Sequence, residues 1–354
     1  MKKSSKFIMK AAVAIALITG CSNEKETVTE VEPVEPIETV EPEPQEQKEE
    51  EVIEQETVFP LTGLSTDASI DHRPFAVTIN NHRKARPQSG LMDADIVYEV
   101  LAEFELTRLV ALYHSKQPEK VGPVRSARGY HIDIANGYDS LFISHGWSPE
   151  AKDRLLIQNE ADHLNGMEGN NDGALFKRSS ERKAPHNSYI TYENIVKGLE
   201  SKGYNLSGET APLSFYEDND VDIDGVPASE ITIHYNNLYD VTYRYDESQK
   251  AYSRYNGSSQ SIDYETEEPL RISNVFIVET THKVIDEQGR RQIDLTSGGN
   301  AILLQNGVAV ELAWENHDGK ILPVKSGEDV KFLPGQTWIN IVPTNIEQRV
   351  VIDE

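Results

Sequence analysis

A single cysteine in 354 residues excludes an intrachain disulfide, a thiolate zinc cluster and an iron–sulfur centre. Cations are scarce as well: 34 Lys and Arg stand against 59 Asp and Glu, a formal net charge of −25. A nucleic-acid surface needs clustered cations, so the composition argues against that partner. No run of apolar residues approaches the roughly 18 needed to cross a bilayer as a helix. There is no His-Glu-x-x-His, no EF-hand loop, no Walker loop and no Gly-x-Ser-x-Gly elbow. No repeat of fixed period is present. Neither a metal nor a cofactor is therefore expected.

What is present begins with an address. Lys2, Lys3, Lys6 and Lys10 precede the short apolar run from Ala11 to Thr19, followed by Gly20 and Cys21. Positive charge, a short apolar core and small residues at its end make a secretory signal. The end of the core, Leu17-Ile18-Thr19-Gly20-Cys21, resembles a bacterial lipobox. That resemblance implies cleavage after residue 20, lipidation of the Cys21 thiol by an acyl chain such as palmitate, and acylation of the new amino terminus. More than one chain is what stable anchoring needs, since a single one binds membranes only marginally. The expected location is the outer face of the bacterial cytoplasmic membrane.

Residues 22–58 hold 14 Glu, two Lys and prolines at 33, 36, 42 and 44. Repeated Val-Glu-Pro units bury little and repel one another, so 21–58 is read as a lipidated cysteine followed by a disordered acidic linker. From Phe59 the composition becomes globular. Phe75 to Asn80, Ile96 to Leu101, Thr107 to Tyr113 and Ser140 to Ser144 are β-branched or aromatic runs and predict strands. Ser126 to Asn136 predicts a helix capped by Ser126. Ser148-Pro149-Glu150 opens another helix to about Asn159, and Thr191 caps a third that stops at Gly203. Residues 59–205 are thus expected to be an α/β or α+β domain. After a Gly/Asp/Pro-rich linker, 206–230, helical signals vanish. Asn306-Gly307 marks a hairpin, Asp318-Gly319 and Pro334-Gly335 mark further turns, and 231–354 is expected to be a mainly antiparallel β domain.

Three basic and polar groups stand out against the acidic background. In Gly122-Pro-Val-Arg125-Ser126-Ala-Arg128, a helix start at Ser126 offers unpaired N–H groups between two arginines. Ser144-His145-Gly146-Trp147-Ser148 lies at the carboxyl end of a strand, where α/β sheets commonly bind ligands. Arg178, Arg182, His186 and Asn187 form the third group. Together Arg125, Ser126, Arg128, His145, Ser148, Arg178, Arg182, His186 and Asn187 predict one anion-binding cleft. The competing reading pairs the arginines with carboxylates such as Glu99, Glu103 and Asp133 and makes them loop scaffolding. Acid–base chemistry by His145 or His186 with Glu99 or Glu103 fits no specific spacing. The tyrosines at 235, 239, 243, 245, 252 and 255, with Trp314 and Trp338, are read as ordinary sheet stabilisers.

Longer stretches are familiar. Arg73-Pro-Phe-Ala-Val-Thr-Ile-Asn-Asn81, Ala85-Arg-Pro-Gln-Ser-Gly-Leu91, Ala94-Asp-Ile-Val-Tyr-Glu99 and Gly122-Pro-Val-Arg-Ser-Ala-Arg128 resemble the YerB-like family of bacterial lipoproteins. His145-Gly146, Arg182, Pro185-His-Asn187 and Leu333-Pro-Gly-Gln-Thr-Trp-Ile339 match further parts of it. The resemblance implies a secreted, lipid-anchored protein of two domains of unknown function. Trp147 departs from the small residue expected there, which would narrow a cleft. The preferred expectation is a binding or scaffold module for an anionic or polar envelope ligand, a cell-wall polymer or an envelope protein. The alternative is a hydrolase or transferase acting on an anionic envelope polymer.

Overall fold

The computed structural model describes residues 57–353. The signal segment 1–20, Cys21 and the acidic stretch through residue 56 lie outside the described residues.

The long apolar runs become the middle of a sheet. Phe75–Asn80, Ile96–Leu101 and Thr107–Tyr113 are buried at every position, as strands covered on both faces must be. Leu141–Ser144 and His163–Asn165 extend them in parallel beyond Phe75–Asn80. On the other side Ile96–Leu101 runs parallel to Thr337–Pro343, with Ile96 opposite Thr337 and Val100 opposite Ile341. From there the sheet continues through Asn274–Thr280, Gly299–Gln305, Val308–His317, Lys320–Lys325 and Glu328–Asp329. With Val226–Pro227 added at Val308, it has twelve strands. Strands from before and after residues 206–230 therefore share one sheet and one pair of cores. The N-terminal part is mixed with few helices, and the C-terminal part is mostly antiparallel.

Two apolar layers cover this sheet. On one face Val77, Leu109, Val275 and Trp338 pack against a five-stranded antiparallel sheet, Glu230–Asn236 to Val350–Asp353, and the helix Tyr192–Ser201. Glu230–Asn236 alternates buried and half-buried residues, the pattern of a strand with one wet face. On the other face Ala76, Val110, Phe276 and Ile339 meet the helices Gly129–Gly137 and Pro149–Leu156. The aromatic residues behave as sheet stabilisers: Trp314, Trp338, Tyr235, Tyr243 and Tyr252 are fully buried.

Local signals explain the element ends. Ser148 accepts from Ala151 N at 3.2 Å with Pro149 next, and Thr191 accepts from Asn194 N at 3.2 Å. Asn306 and Gly307, both at positive φ, turn Gly299–Gln305 into Val308–His317. The helix expected from Ser126 begins instead at Gly129, with Arg128 as its N-cap. Ser126 Oγ donates to His145 O at 3.2 Å, and Val124 and Ala127 on either side form bridges to Ile79 and Trp147. The backbone there is committed to the sheet edge before the helix can start.

One polar cluster is sealed between the two sheets. Glu99, with no exposed surface, receives Arg254 Nη2 at 2.6 Å. Its Oε1 accepts from Asn81 Nδ2, Thr107 Oγ1 and Tyr239 OH at 3.0, 2.8 and 2.7 Å. Arg254 also lies over the Trp338 ring at 4.8 Å. The pairing and the surrounding hydrogen bonds offset the cost of burial, although Arg254 Nε has no partner among the described residues.

Candidate functional site

Where Phe75–Asn80, Thr107–Tyr113 and the start of Gly129–Gly137 converge, a cleft of about 330 Å³ opens. Arg108, Arg125 and Arg128 reach it from three segments, and His82 and His186 form its far wall. Glu103 is the one carboxylate lining it among the described residues. In a chain of net charge −25, this is a local reversal of sign.

The arginines differ in their commitments. Arg108, nearly buried in its strand, donates to Glu103 Oε2 at 2.8 Å and to Ser126 O at 2.9 Å. Arg128 pairs with the other Glu103 oxygen and donates to Ala127 O at 2.5 Å. Burial opposes ionisation of Glu103, yet the Arg128 hydrogen bond and the Arg108 charge outweigh it and hold its carboxyl below the usual range. Arg125 is half-buried and has no side-chain hydrogen bond or ion pair among the described residues. Burial, then the charge of Arg128, push its guanidinium down. The scaffold reading thus fits Arg128, paired with Glu103; the cleft reading fits Arg125.

The two histidines are oriented by their neighbours. Asn80 Oδ1 accepts from His82 N at 3.0 Å, which aims its amide nitrogen at His186 Nδ1, 2.9 Å away. His82 Nδ1 accepts from Lys84 N at 3.0 Å. With Nδ1 occupied as an acceptor in both rings, each neutral imidazole carries its proton on Nε2. The rings stack at 4.4 Å, 21° apart. Burial first, then Lys84, Arg83, Arg86 and Arg125, lower the pKa of His82. Burial, then His82 and Arg125, lower that of His186. His82, His186 and Arg125 are held down first by burial and then by neighbouring like charges, and an anion would relieve the latter.

The remaining predicted residues form a neighbouring cluster. His145 is buried, its Nδ1 at 2.6 Å from Ser188 Oγ and its Nε2 accepting from Arg178 Nη2 at 3.0 Å. Burial and Arg178 lower its pKa. Arg178 grips Asp172 at 3.0 and 2.9 Å and reaches Asn187 Oδ1 at 3.4 Å. Asn187 Nδ2 donates to Ser179 O at 3.1 Å, closing that loop. Arg182 donates to Ala85 O and Pro87 O at 2.5 and 2.6 Å and lies over the Tyr264 ring. It holds the loop behind His82 and does not line the cleft. Ser148 serves as a helix cap. Trp147, half-buried against the helix-side core, does not narrow this cleft. Glu99 is sealed with Arg254, away from any histidine of the cleft.

Arg108, His82, Asn80, Phe104 and Arg290 also belong to the lining and were missed by sequence reasoning. Arg108 had a usable signal: a lone cation inside an otherwise apolar strand must find a buried partner. A larger cavity, about 800 Å³, lies elsewhere and carries Asp133, Asp294 and Asp318.

Two family models match the chain: "Protein of unknown function (DUF3048) N-terminal domain" over residues 61–205, and the corresponding C-terminal domain over 231–339. Over 291 residues the chain is 48% identical to "Putative lipoprotein YerB" of Bacillus subtilis (strain 168), spanning 80% of this chain and 86% of that one. The crystal structure of YerB protein from Bacillus subtilis superposes with a TM-score of 0.78 at 45% identity. It covers 84% of this chain and 100% of its own.

Proposed function

The chain belongs to the DUF3048 family, a relative of which is named a lipoprotein, and from that premise we propose a membrane-anchored binding module of the bacterial cell envelope. Its ligand is an anionic or polar envelope component, or a partner protein presenting one, held in the Arg125 cleft. Cys21 is the proposed point of lipid attachment, on the outer face of the cytoplasmic membrane.

One observation carries the reading of the cleft. Arg125 is a half-buried cation without a carboxylate partner among the described residues, and it lines one cleft with His82 and His186, whose Nδ1 atoms are already taken. Leaving such a group unpaired costs stability, and the cost persists where a ligand repays it. The acid–base alternative has less support. Glu103 is held ionised by two arginines, His145 is locked between Arg178 and Ser188, and Glu99 is sealed. None of these three is free to exchange a proton with a substrate, and His186, which lines the cleft, has only the arginine-paired Glu103 as a carboxylate there.

The test is thermal melting with and without sulfate. Sulfate raises the melting point of the wild type, more so below pH 6.5 as His82 and His186 gain protons. Arg125→Gln loses that rise, with affinity down roughly ten-fold or more, while its melting point without sulfate changes little. Equal sulfate response in both proteins would refute the proposal.

A further inference from the structure

Three loop tips crowd one rim of the cleft, and each exposes an apolar side chain. The turn Glu103–Glu105 places Phe104 at φ 55° and Glu105 at φ 59°, two successive left-handed residues without glycine. That conformation is costly and survives only where the surroundings enforce it. They do: Glu103 is gripped by Arg108 and Arg128, Glu105 by Arg291, and Asn236 Nδ2 donates to Glu105 O at 2.9 Å. The result of all this fixing is a Phe104 side chain left 76% exposed at the mouth of a cationic cleft.

Leu238, 87% exposed, sits two residues beyond Asn236 at the tip of the next hairpin. Val284 and Ile285 are exposed at the tip of a third, whose Gly289 lies against the Phe104 backbone. Ile285 N donates to Arg290 O at 2.8 Å, fixing that tip. Apolar tips arrayed around a cation site match a surface that is apolar below and anionic at its face. Two carboxylates of the rim are paired, Asp286 with Arg290 and Glu105 with Arg291, while Glu287 is exposed.

Resting on the anion-site reading of the cleft, we infer that this rim docks on the membrane surface. The phosphate of an anionic phospholipid headgroup enters beside Arg125, and Phe104, Leu238 and Ile285 enter the interfacial layer. A chain of net charge −25 is otherwise repelled by such a surface, so attraction requires a local site of opposite sign.

The experiment uses residues 57–354. A relative matched over all of its length by 84% of this chain was crystallised, so that fold stands without an equivalent of the rest. Binding is measured to phosphatidylcholine vesicles with and without phosphatidylglycerol, and melting is followed with inorganic phosphate. The wild type prefers the phosphatidylglycerol vesicles by roughly ten-fold or more. Combining Leu238→Ser with Ile285→Ser, both exposed and neither lining the cleft, removes at least about ten-fold of vesicle binding but keeps the phosphate-induced rise in melting point. Arg125→Gln loses both. No preference for phosphatidylglycerol, or vesicle binding indifferent to Leu238 and Ile285, would overturn the membrane inference while a retained phosphate response left the cleft reading standing. A wild type that responds to neither probe would end both.

Discussion

Removing Glu99 or Arg254 alone should be the most damaging polar substitution in the molecule. Glu99 has no exposed surface and Arg254 only 2%, so neither charge can turn to water when its partner goes. In Glu99→Gln the new amide must face Arg254 Nη2 on one side and three donors, Asn81, Thr107 and Tyr239, on the other. At least one donor is then left without an acceptor, and the guanidinium without a counter-charge. Breaking a buried pair in this way costs about 3–5 kcal/mol. At roughly 2 °C per kcal/mol for a body of this size, the melting point falls by about 6–10 °C. Arg254→Met leaves an ionised Glu99 with its three neutral donors, and the same range is expected. Combining Glu99→Leu with Arg254→Met removes both charges and should cost less than the two single losses added. Urea denaturation followed by circular dichroism supplies all three values. Since Glu99 lies in the N-terminal matched segment and Arg254 in the C-terminal one, both segments should unfold in one transition. Single variants within about 1 kcal/mol of the wild type, or strict additivity, would refute the argument.

Two further outcomes follow from other parts of the structure. Burial pushes His114 and His282 down to about 4 and His131 well below its ordinary value, while Asp95 is pushed up to about 6. As pH falls from 6.5, the unfolded chain takes up three histidine protons that the fold refuses, and Asp95 takes one that favours the fold. Two net protons give a loss of about 3 kcal/mol per pH unit near pH 5, read as a falling urea midpoint; a flat or rising midpoint would contradict it. Gly137→Ala should destabilise by about 1–3 kcal/mol, reversing the usual helical preference for alanine. A Cβ there would stand 2.3 Å from Gly319 O in the Asp318–Gly319 turn, so a more stable variant would show that this contact yields.

Much of this was legible in the residues, and the gaps have physical causes. Ser148-Pro149-Glu150, Thr191 and Asn306-Gly307 act locally, and their roles follow from spacing alone. Ser126 carried an equally good capping signal, but its segment is drawn into bridges with Ile79 and Trp147, contacts no local rule anticipates. Ile96–Leu101 was readable as a strand; its partner Thr337–Pro343 lies far along the chain and nothing in its own pattern names it. At the site, Arg125 and His186 were legible as polar residues near strand ends. Arg108 was hidden, and Glu99, named as a partner for the arginines, pairs instead with Arg254, because a lone charge in an apolar strand tells that it is paired without telling with whom.

The central claim is that Arg125, His82 and His186 form one anion site. The direct measurement is a crystal structure of the protein grown with sulfate. The account predicts the anion in the cleft, within hydrogen-bond distance of the Arg125 guanidinium and of Nε2 on both imidazoles, with the Glu103 pairs to Arg108 and Arg128 intact. An empty cleft in which Arg125 has turned to share Glu103, with sulfate bound elsewhere or nowhere, would contradict it.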